Sequence, residues 1–218
     1  MNYEDKAGDY FENIRKDLIS FIAHKKGLKV LEVGAGFGAT LFHLKNTGVA
    51  SEAIGMDIFE DPKQREQYEK IDGFYFGNIE ELDFPQFNSY FDVILLADVL
   101  EHLIEPADVL KKLKNYLKPD GEVLISMPNV RHYSAFNKIF LKGNFDYEES
   151  GLFDYTHRRF FCKKNIRELV ETNFKVIKEA SSLEFYKGKS GAKVFNTLSF
   201  GLFEEFLSVQ YLYRASKK

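Results

Sequence analysis

The sequence has no tryptophan and one cysteine, Cys162. A single thiol excludes an intrachain disulfide and any multi-cysteine zinc site within one chain. It fits a reducing compartment, so a cytoplasmic location is expected. Proline is sparse, at 5 residues, and no Pro/Gly/Ser-rich linker divides the chain. No uninterrupted apolar run approaches the ~18 residues of a membrane span. The opening stretch MNYEDKAGDYFENIRKD is too polar to read as a signal peptide. Neither charge dominates: the formal net charge is −3 at pH 7, which provides no general attraction to nucleic acid. Aromatic side chains are abundant, at 22 Phe and 12 Tyr. At 218 residues and 44% hydrophobic, the chain is expected to form a single domain over 1–218 with a sizeable core.

Short apolar runs alternate with helical patterns. A helix is expected over 3–24, where Tyr10, Phe11, Ile14, Leu18 and Phe21 fall near helical spacing. LKVLEV (28–33), AIGMD (53–57), FYFG (74–77), FDVILLAD (91–98) and EVLISM (122–127) read as strands. Asp61-Pro62 pairs an N-cap with proline at the first helical position, opening a helix to about Ile71. A further helix starts at Pro106, with Val109, Leu110, Leu113, Tyr116 and Leu117 on one face, and KPDG (118–121) reads as a turn. This alternation specifies an α/β fold, a doubly wound, Rossmann-like sheet with helices on both faces. It breaks after Pro128. Residues 129–161 crowd aromatics between Tyr133 and Phe161 and are too long for a simple connection, so they read as an insertion. A helix (163–173) and a strand-like run (174–184) follow. A second insertion (185–207) precedes a last strand, SVQYLYRA, at 208–215.

The informative segment is VLEVGAGFGAT (30–40). An apolar strand delivers Glu32, Gly34, Gly36 and Gly38 follow at alternate positions, and a helix begins. Such a turn lets a ligand approach the backbone and presents helix N–H groups to an anion; the bland alternative is a plain tight turn. Asp57 ends the second strand, where a doubly wound sheet sets a carboxylate beside the loop to accept hydrogen bonds from ribose hydroxyls. An adenosine-containing ligand is expected. Gly34-x-Gly36-x-x-Ala39 also satisfies the relaxed dinucleotide pattern, so an NAD(P)-dependent oxidoreductase is a rival. Against it, the only Tyr-x-x-x-Lys, Tyr213 to Lys217, lies in the last strand.

VLEVGAGFG, Asp57, GNIEELDFP (77–85), FDVILLADVLEHL (91–103) and LKPDGEVLISMPN (117–129) stand in the order of the motifs of class I S-adenosylmethionine-dependent methyltransferases. The chain resembles that family over about residues 10–184. The resemblance implies a seven-stranded mixed sheet with the last strand antiparallel, and S-adenosylmethionine as cofactor. It implies that Glu32, Gly34, Ala35, Gly36 and Gly38 line the methionine part, that Asp57 binds the ribose and that Ile58 also borders the cofactor. By the same resemblance, Asn78 and Ile79 flank the adenine and Ala97 sits by the amino group. The family pattern usually has Asp at position 78; Asn keeps a hydrogen-bonding edge without the charge. Tyr10 and Arg15 match a YFENIR lead-in of some members. Arg15 is a candidate for the cofactor carboxylate, which a guanidinium fits bidentately; the alternative is a solvated helix residue.

Methyl transfer to a hydroxyl requires alignment and removal of the hydroxyl proton by a base or a metal. Two clusters qualify. Asp98-x-x-Glu101-His102 follows the fourth strand, and on a helix these positions share one face. Asp98 and Glu101 also spell a capping box. The pattern resembles the Glu-x-x-Glu-His metal site of ubiquinone-pathway O-methyltransferases and small-RNA 2′-O-methyltransferases, with the shorter Asp98 in place of the first Glu. The second cluster is FDYTHRRFF (153–161), where His157 is a candidate further ligand or general base, or else a packing histidine. The candidate catalytic residues are thus His157, His102 and Asp98, and the candidate ligands of a Mg²⁺ or Mn²⁺ ion are Asp98, Glu101, His102 and His157.

YFENIR, VLEH, MPNVRHY and FDYTHRRFF together resemble methyltransferases of bacterial surface-polysaccharide pathways, which implies a glycan or other small-molecule hydroxyl acceptor. A quinone-like phenol and an RNA 2′-hydroxyl are the alternatives. Net charge disfavours RNA, although Arg158, Arg159, Lys163 and Lys164 form a basic strip. The 129–161 insertion would form an acceptor-side pocket or lid, its aromatics stacking on an acceptor or else forming the core of a small cap. The apolar run VFNTLSFGLF (194–203) meets Glu204 and Glu205 at once, so it reads as a homodimer or cap surface rather than a membrane contact.

Overall fold

The computed structural model describes residues 13–22, 24–186 and 190–218. Seven strands form one sheet: β1 (Leu28–Val33), β2 (Ala50–Asp57), β3 (Gly73–Phe76), β4 (Phe91–Ala97), β5 (Leu117–Pro128), β6 (Phe174–Ser181) and β7 (Gln210–Lys217). Their order is β3-β2-β1-β4-β5-β7-β6. β7 runs antiparallel to both β5 and β6, and the other pairings are parallel. The helices are α1 (Lys16–Ile19), α2 (Ala39–Asn46), α3 (Arg65–Tyr68), α4 (Pro106–Tyr116), α5 (Tyr133–Phe136), α6 (Lys163–Glu171), α7 (Gly191–Leu198) and α8 (Glu204–Leu207). None among the described residues is long and apolar enough to cross a membrane.

The sheet is buried on both faces, which is why FDVILL is apolar throughout rather than alternating. In β4, Val93 and Leu95 join the layer of Leu18, Ile22, Leu41 and Leu44. Ile94 and Leu96 point the other way, into the layer of Val109, Leu110, Leu113, Ile166 and Val170. Truncating any one of these leucines or isoleucines to alanine would cost ~2–5 kcal/mol.

Several local expectations are corrected. The described part of the expected 3–24 helix is helical only over Lys16–Ile19, and Arg15 is its N-cap residue. After Asp61, whose carboxylate accepts the Lys63 N–H, a 3₁₀ turn (Pro62–Gln64) runs into the four-residue α3. KPDG lies inside β5, where the register with β4 shifts between Phe91 and Val93 and the extra residues loop out. β6 stops at Ser181 because Ser181 and Glu184 form a capping box over the turn 182–185.

The first insertion builds a satellite core, in which Ala135, Leu152 and Phe153 pack with Val130, Ile139, Phe160 and Val209. The second places α7 and α8 outside. Leu198, Phe200 and Leu202 are exposed, Phe200 to 94%, so no cap covers this run among the described residues.

Candidate active site

β1, β2 and β4 end side by side, and a cavity of about 360 Å³ opens beyond their carboxyl ends. Gly34, Gly36 and Gly38 all take left-handed backbone (φ 72, 55 and 81°), a region that side chains with a Cβ avoid. A methyl on Gly34 would lie 2.6 Å from Val99 Cγ2, so the loop closes directly against the exit of β4. Asp57 braces the loop: its Oδ2 accepts the Gly36 N–H at 2.8 Å and its Oδ1 the Phe59 N–H at 3.0 Å. Burial raises the Asp57 carboxyl pKa and these backbone donors pull it back.

Arg15, Glu32, Gly34, Ala35, Gly36, Asp57, Ile58, Asn78, Ile79 and Ala97 all line the cavity. Gly38 stands back from it as the N-cap residue of α2, and Tyr10 lies outside the described residues. Glu32 is buried and its Oε2 has no hydrogen-bond partner. Burial pushes its carboxyl up to about 8, against the pull of the Arg15 guanidinium. Such an orphaned carboxylate beside a glycine loop fits a cationic group of a ligand. Arg15 is largely buried, not solvated. It donates to Asp98 at 2.7 Å, to Asp17 at 3.0 Å and to Gln210 at 3.1 Å. The Asn78 amide is set by its own turn, accepting the Glu80 N–H and donating to Glu81, each at 3.0 Å.

The segment after β4 departs from a helix. Asp98 has φ 57°, the 3₁₀ turn covers only Leu100–His102, and its N-cap is Val99 with no side-chain cap bond. Asp98 therefore neither caps this turn nor shares a face with Glu101. Its carboxylate accepts from Arg15, Ser126 and Gln210 instead. The metal-type cluster holds three residues, Glu101, His102 and His157, whose ligand atoms lie within 4.8 Å of one another. Asp98 is not among them.

Glu101 is 0% exposed and neither carboxylate oxygen has a hydrogen-bond partner. Burial, reinforced by the Asp98 charge, holds its carboxyl well above the usual range. His157 Nε2 lies 4.0 Å from Glu101 Oε1. His102 Nδ1 meets the Thr156 carbonyl and His157 Nδ1 the Leu152 carbonyl, each at 3.2 Å. Carbonyls accept only, so each Nδ1 carries a proton. Asp154 Oδ1 accepts from the Thr156 N–H and hydroxyl, forming the turn that delivers His157. Only His102 of the cluster is part of the cavity wall.

Sequence reasoning missed Ser126 and Gln210, the partners of Asp98, and Tyr75, Leu103 and Ile104, which also line the cavity; Arg158, a further lining residue, stood out only as part of a basic strip. Gln210 lies 195 residues from Arg15, and no local pattern marks it. The rival Tyr213 is buried in the core, its hydroxyl 3.3 Å from the Lys163 carbonyl, and does not line the cavity.

The antiparallel β7 between β5 and β6, with a glycine turn facing an acid across β1 and β2, defines the class I methyltransferase fold. A methyltransferase-domain family model matches residues 7–179, and the chain belongs to that family. A ubiquinone biosynthesis O-methyltransferase of Shewanella sp. (strain ANA-3) is 23% identical over 163 residues, 73% of this chain and 68% of that protein. A protein of the same name from Acinetobacter baumannii (strain AYE) is 31% identical over 109 residues, 47% of this chain and 45% of that protein. The chain thus spans less than half of that relative's length. The crystal structure of a SAM dependent methyltransferase from Archaeoglobus fulgidus superposes with a TM-score of 0.60 at 19% identity, covering 97% of this chain and 95% of that one.

Proposed function

We propose that this chain methylates a hydroxyl group of a small acceptor, using S-adenosylmethionine held at the ends of β1, β2 and β4. One observation carries the reading: the orphaned Glu32 carboxylate and His102 of the Glu101–His102–His157 cluster belong to the wall of the same cavity. When bound, S-adenosylmethionine supplies a methyl group activated on a sulfonium, and transfer to oxygen leaves S-adenosylhomocysteine. Asp57 accepts the ribose hydroxyls, Glu32 the ammonium of the methionine moiety, and Asn78 and Ile79 frame the adenine. Arg15, exchanged from Asp98, takes the cofactor carboxylate. As the acceptor O–CH₃ bond forms, the hydroxyl proton passes to Nε2 of His102, the member of the cluster on the cavity wall.

Glu101, His102 and His157 also fit a divalent cation, which would lower the pKa of the acceptor hydroxyl. Two imidazoles with one carboxylate suit Mn²⁺ better than Mg²⁺. A phenolic hydroxyl is favoured over a glycan hydroxyl, because the two curated relatives are named as ubiquinone biosynthesis O-methyltransferases. The test is calorimetry with S-adenosylhomocysteine and with NAD, followed by labelled methyl transfer to 3,4-dihydroxybenzyl alcohol in Mn²⁺. Binding of the homocysteine nucleoside alone is expected. Binding of NAD alone would overturn the reading.

A further inference from the structure

We propose that Arg158 holds an oxyanion, a carboxylate or a phosphate, carried by the acceptor, so that the substrate is an anionic hydroxyl compound. The inference rests on the methyltransferase reading and deepens it. The chain has seven arginines, Arg15, Arg65, Arg131, Arg158, Arg159, Arg167 and Arg214. All but Arg158 pair with an aspartate or glutamate. Among the described residues the Arg158 guanidinium forms no ion pair and no side-chain hydrogen bond, yet Arg158 lines the cavity.

Its place is set by the backbone. The Arg158 N–H donates to the Glu101 carbonyl at 2.9 Å and the Arg159 N–H to the same oxygen at 3.1 Å. The side chain therefore leaves a fixed turn directly after His157, on the side of the cavity that holds His102, Leu103 and Ile104. The neighbouring Arg159 is occupied by the Ile104 carbonyl and Glu105. The other charged residues of the cavity wall are Glu32, Asp57, Glu80, Asp98 and Arg15, and Arg15 is neutralised by Asp98. A cation without a counter-ion in an otherwise acidic cavity is a vacant half of an ion pair. Its planar fork matches a carboxylate or phosphate bidentately. Glu32, Asp57 and Arg15 face the cofactor's own groups, which leaves Arg158 to the acceptor.

The experiment follows the arginine Nε–Hε resonances of ¹⁵N-labelled full-length protein, with Arg158 assigned by its loss in Arg158→Lys. The probes are 3,4-dihydroxybenzoate, inorganic phosphate and the neutral 3,4-dihydroxybenzyl alcohol, each with and without S-adenosylhomocysteine. A saturable shift of the Arg158 signal is expected with an anion and not with the alcohol; the two anions separate carboxylate from phosphate. In turnover, Arg158→Gln is expected to raise KM for the anionic acceptor roughly 10-fold to 100-fold, the range of a charge-assisted pair. KM for the neutral acceptor and the Kd of S-adenosylhomocysteine should hold. No saturable shift with either anion, or an equal shift with the alcohol, overturns the proposal. So does a loss of S-adenosylhomocysteine affinity in Arg158→Gln, which would put the guanidinium on the cofactor. Failure of the methyltransferase reading shows separately, as absent nucleoside binding, while the anion titration is still read on the protein alone.

Discussion

Replacing Glu32 by glutamine removes a carboxyl whose ionised form is penalised by burial more than Arg15 relieves it. The carboxyl is pushed from 4.5 up to about 8, chiefly by burial. Between those values the native state holds a proton that the unfolded state has lost. Stability is therefore full below the lower value and falls as pH rises toward the upper one, by about 1.4 kcal/mol per pH unit. Across the whole gap the loss is at most ~5 kcal/mol. Glutamine carries no such penalty, so the melting temperature of Glu32→Gln should overtake that of the wild type progressively from pH 6 to 8.5. The effect on binding is opposite. A ligand ammonium needs the ionised carboxylate, so S-adenosylhomocysteine binding by the wild type should release a proton. Its affinity should rise with pH between 6 and 8, approaching tenfold per unit. In Glu32→Gln that slope should flatten. Calorimetry at pH 6, 7 and 8 in two buffers of different ionisation enthalpy counts the released proton. A pH-independent affinity with no proton release in the wild type would refute the assignment of Glu32 to the ligand ammonium.

Gly34→Ala forces a Cβ to 2.6 Å from Val99 Cγ2 at φ 72°; strain of ~1–3 kcal/mol should lower the melting temperature and abolish nucleoside binding, and retention of both would mean the loop is not held as described. Asp57→Ala should weaken S-adenosylhomocysteine by tenfold or more with an unchanged circular dichroism spectrum; equal affinity removes Asp57 from the ribose. His157→Ala should reduce turnover far more than nucleoside affinity, and wild-type rates would take it out of the mechanism. Chelator should silence the enzyme and Mn²⁺ restore it, with Glu101→Gln losing the Mn²⁺ signal in electron paramagnetic resonance; indifference to chelator leaves the cluster to act as a base alone.

The strand sequence and the glycine loop were legible because each depends on local pattern. β1, β2 and β4 are apolar runs ending at a glycine or an acid, and buried parallel strands are made of such runs. The spacing Asp98-x-x-Glu101-His102 also drew attention to the right stretch, but its geometry was not legible. Periodicity predicts a helical face, whereas Arg15, Ser126 and Gln210 hold Asp98 in a left-handed conformation. Two of those partners come from opposite ends of the described chain. His157 was visible as a histidine in an odd aromatic segment; that it meets Glu101 depends on the Asp154–Thr156 turn and on the satellite core around Phe153. The isolation of Arg158 was illegible for a different reason, since it emerges only once every other arginine has found its acid.

The Asp98 carboxylate joins Arg15 from the first described segment to Ser126 on β5 and Gln210 on β7. During synthesis, residue 15 leaves the ribosome long before residue 210. Until the final strand slides in between β5 and β6, Arg15 lacks one of its hydrogen-bond acceptors, and the cavity of the nascent chain has one wall unbraced. A truncation just short of β7 would therefore loosen the setting of Arg15, almost two hundred residues upstream.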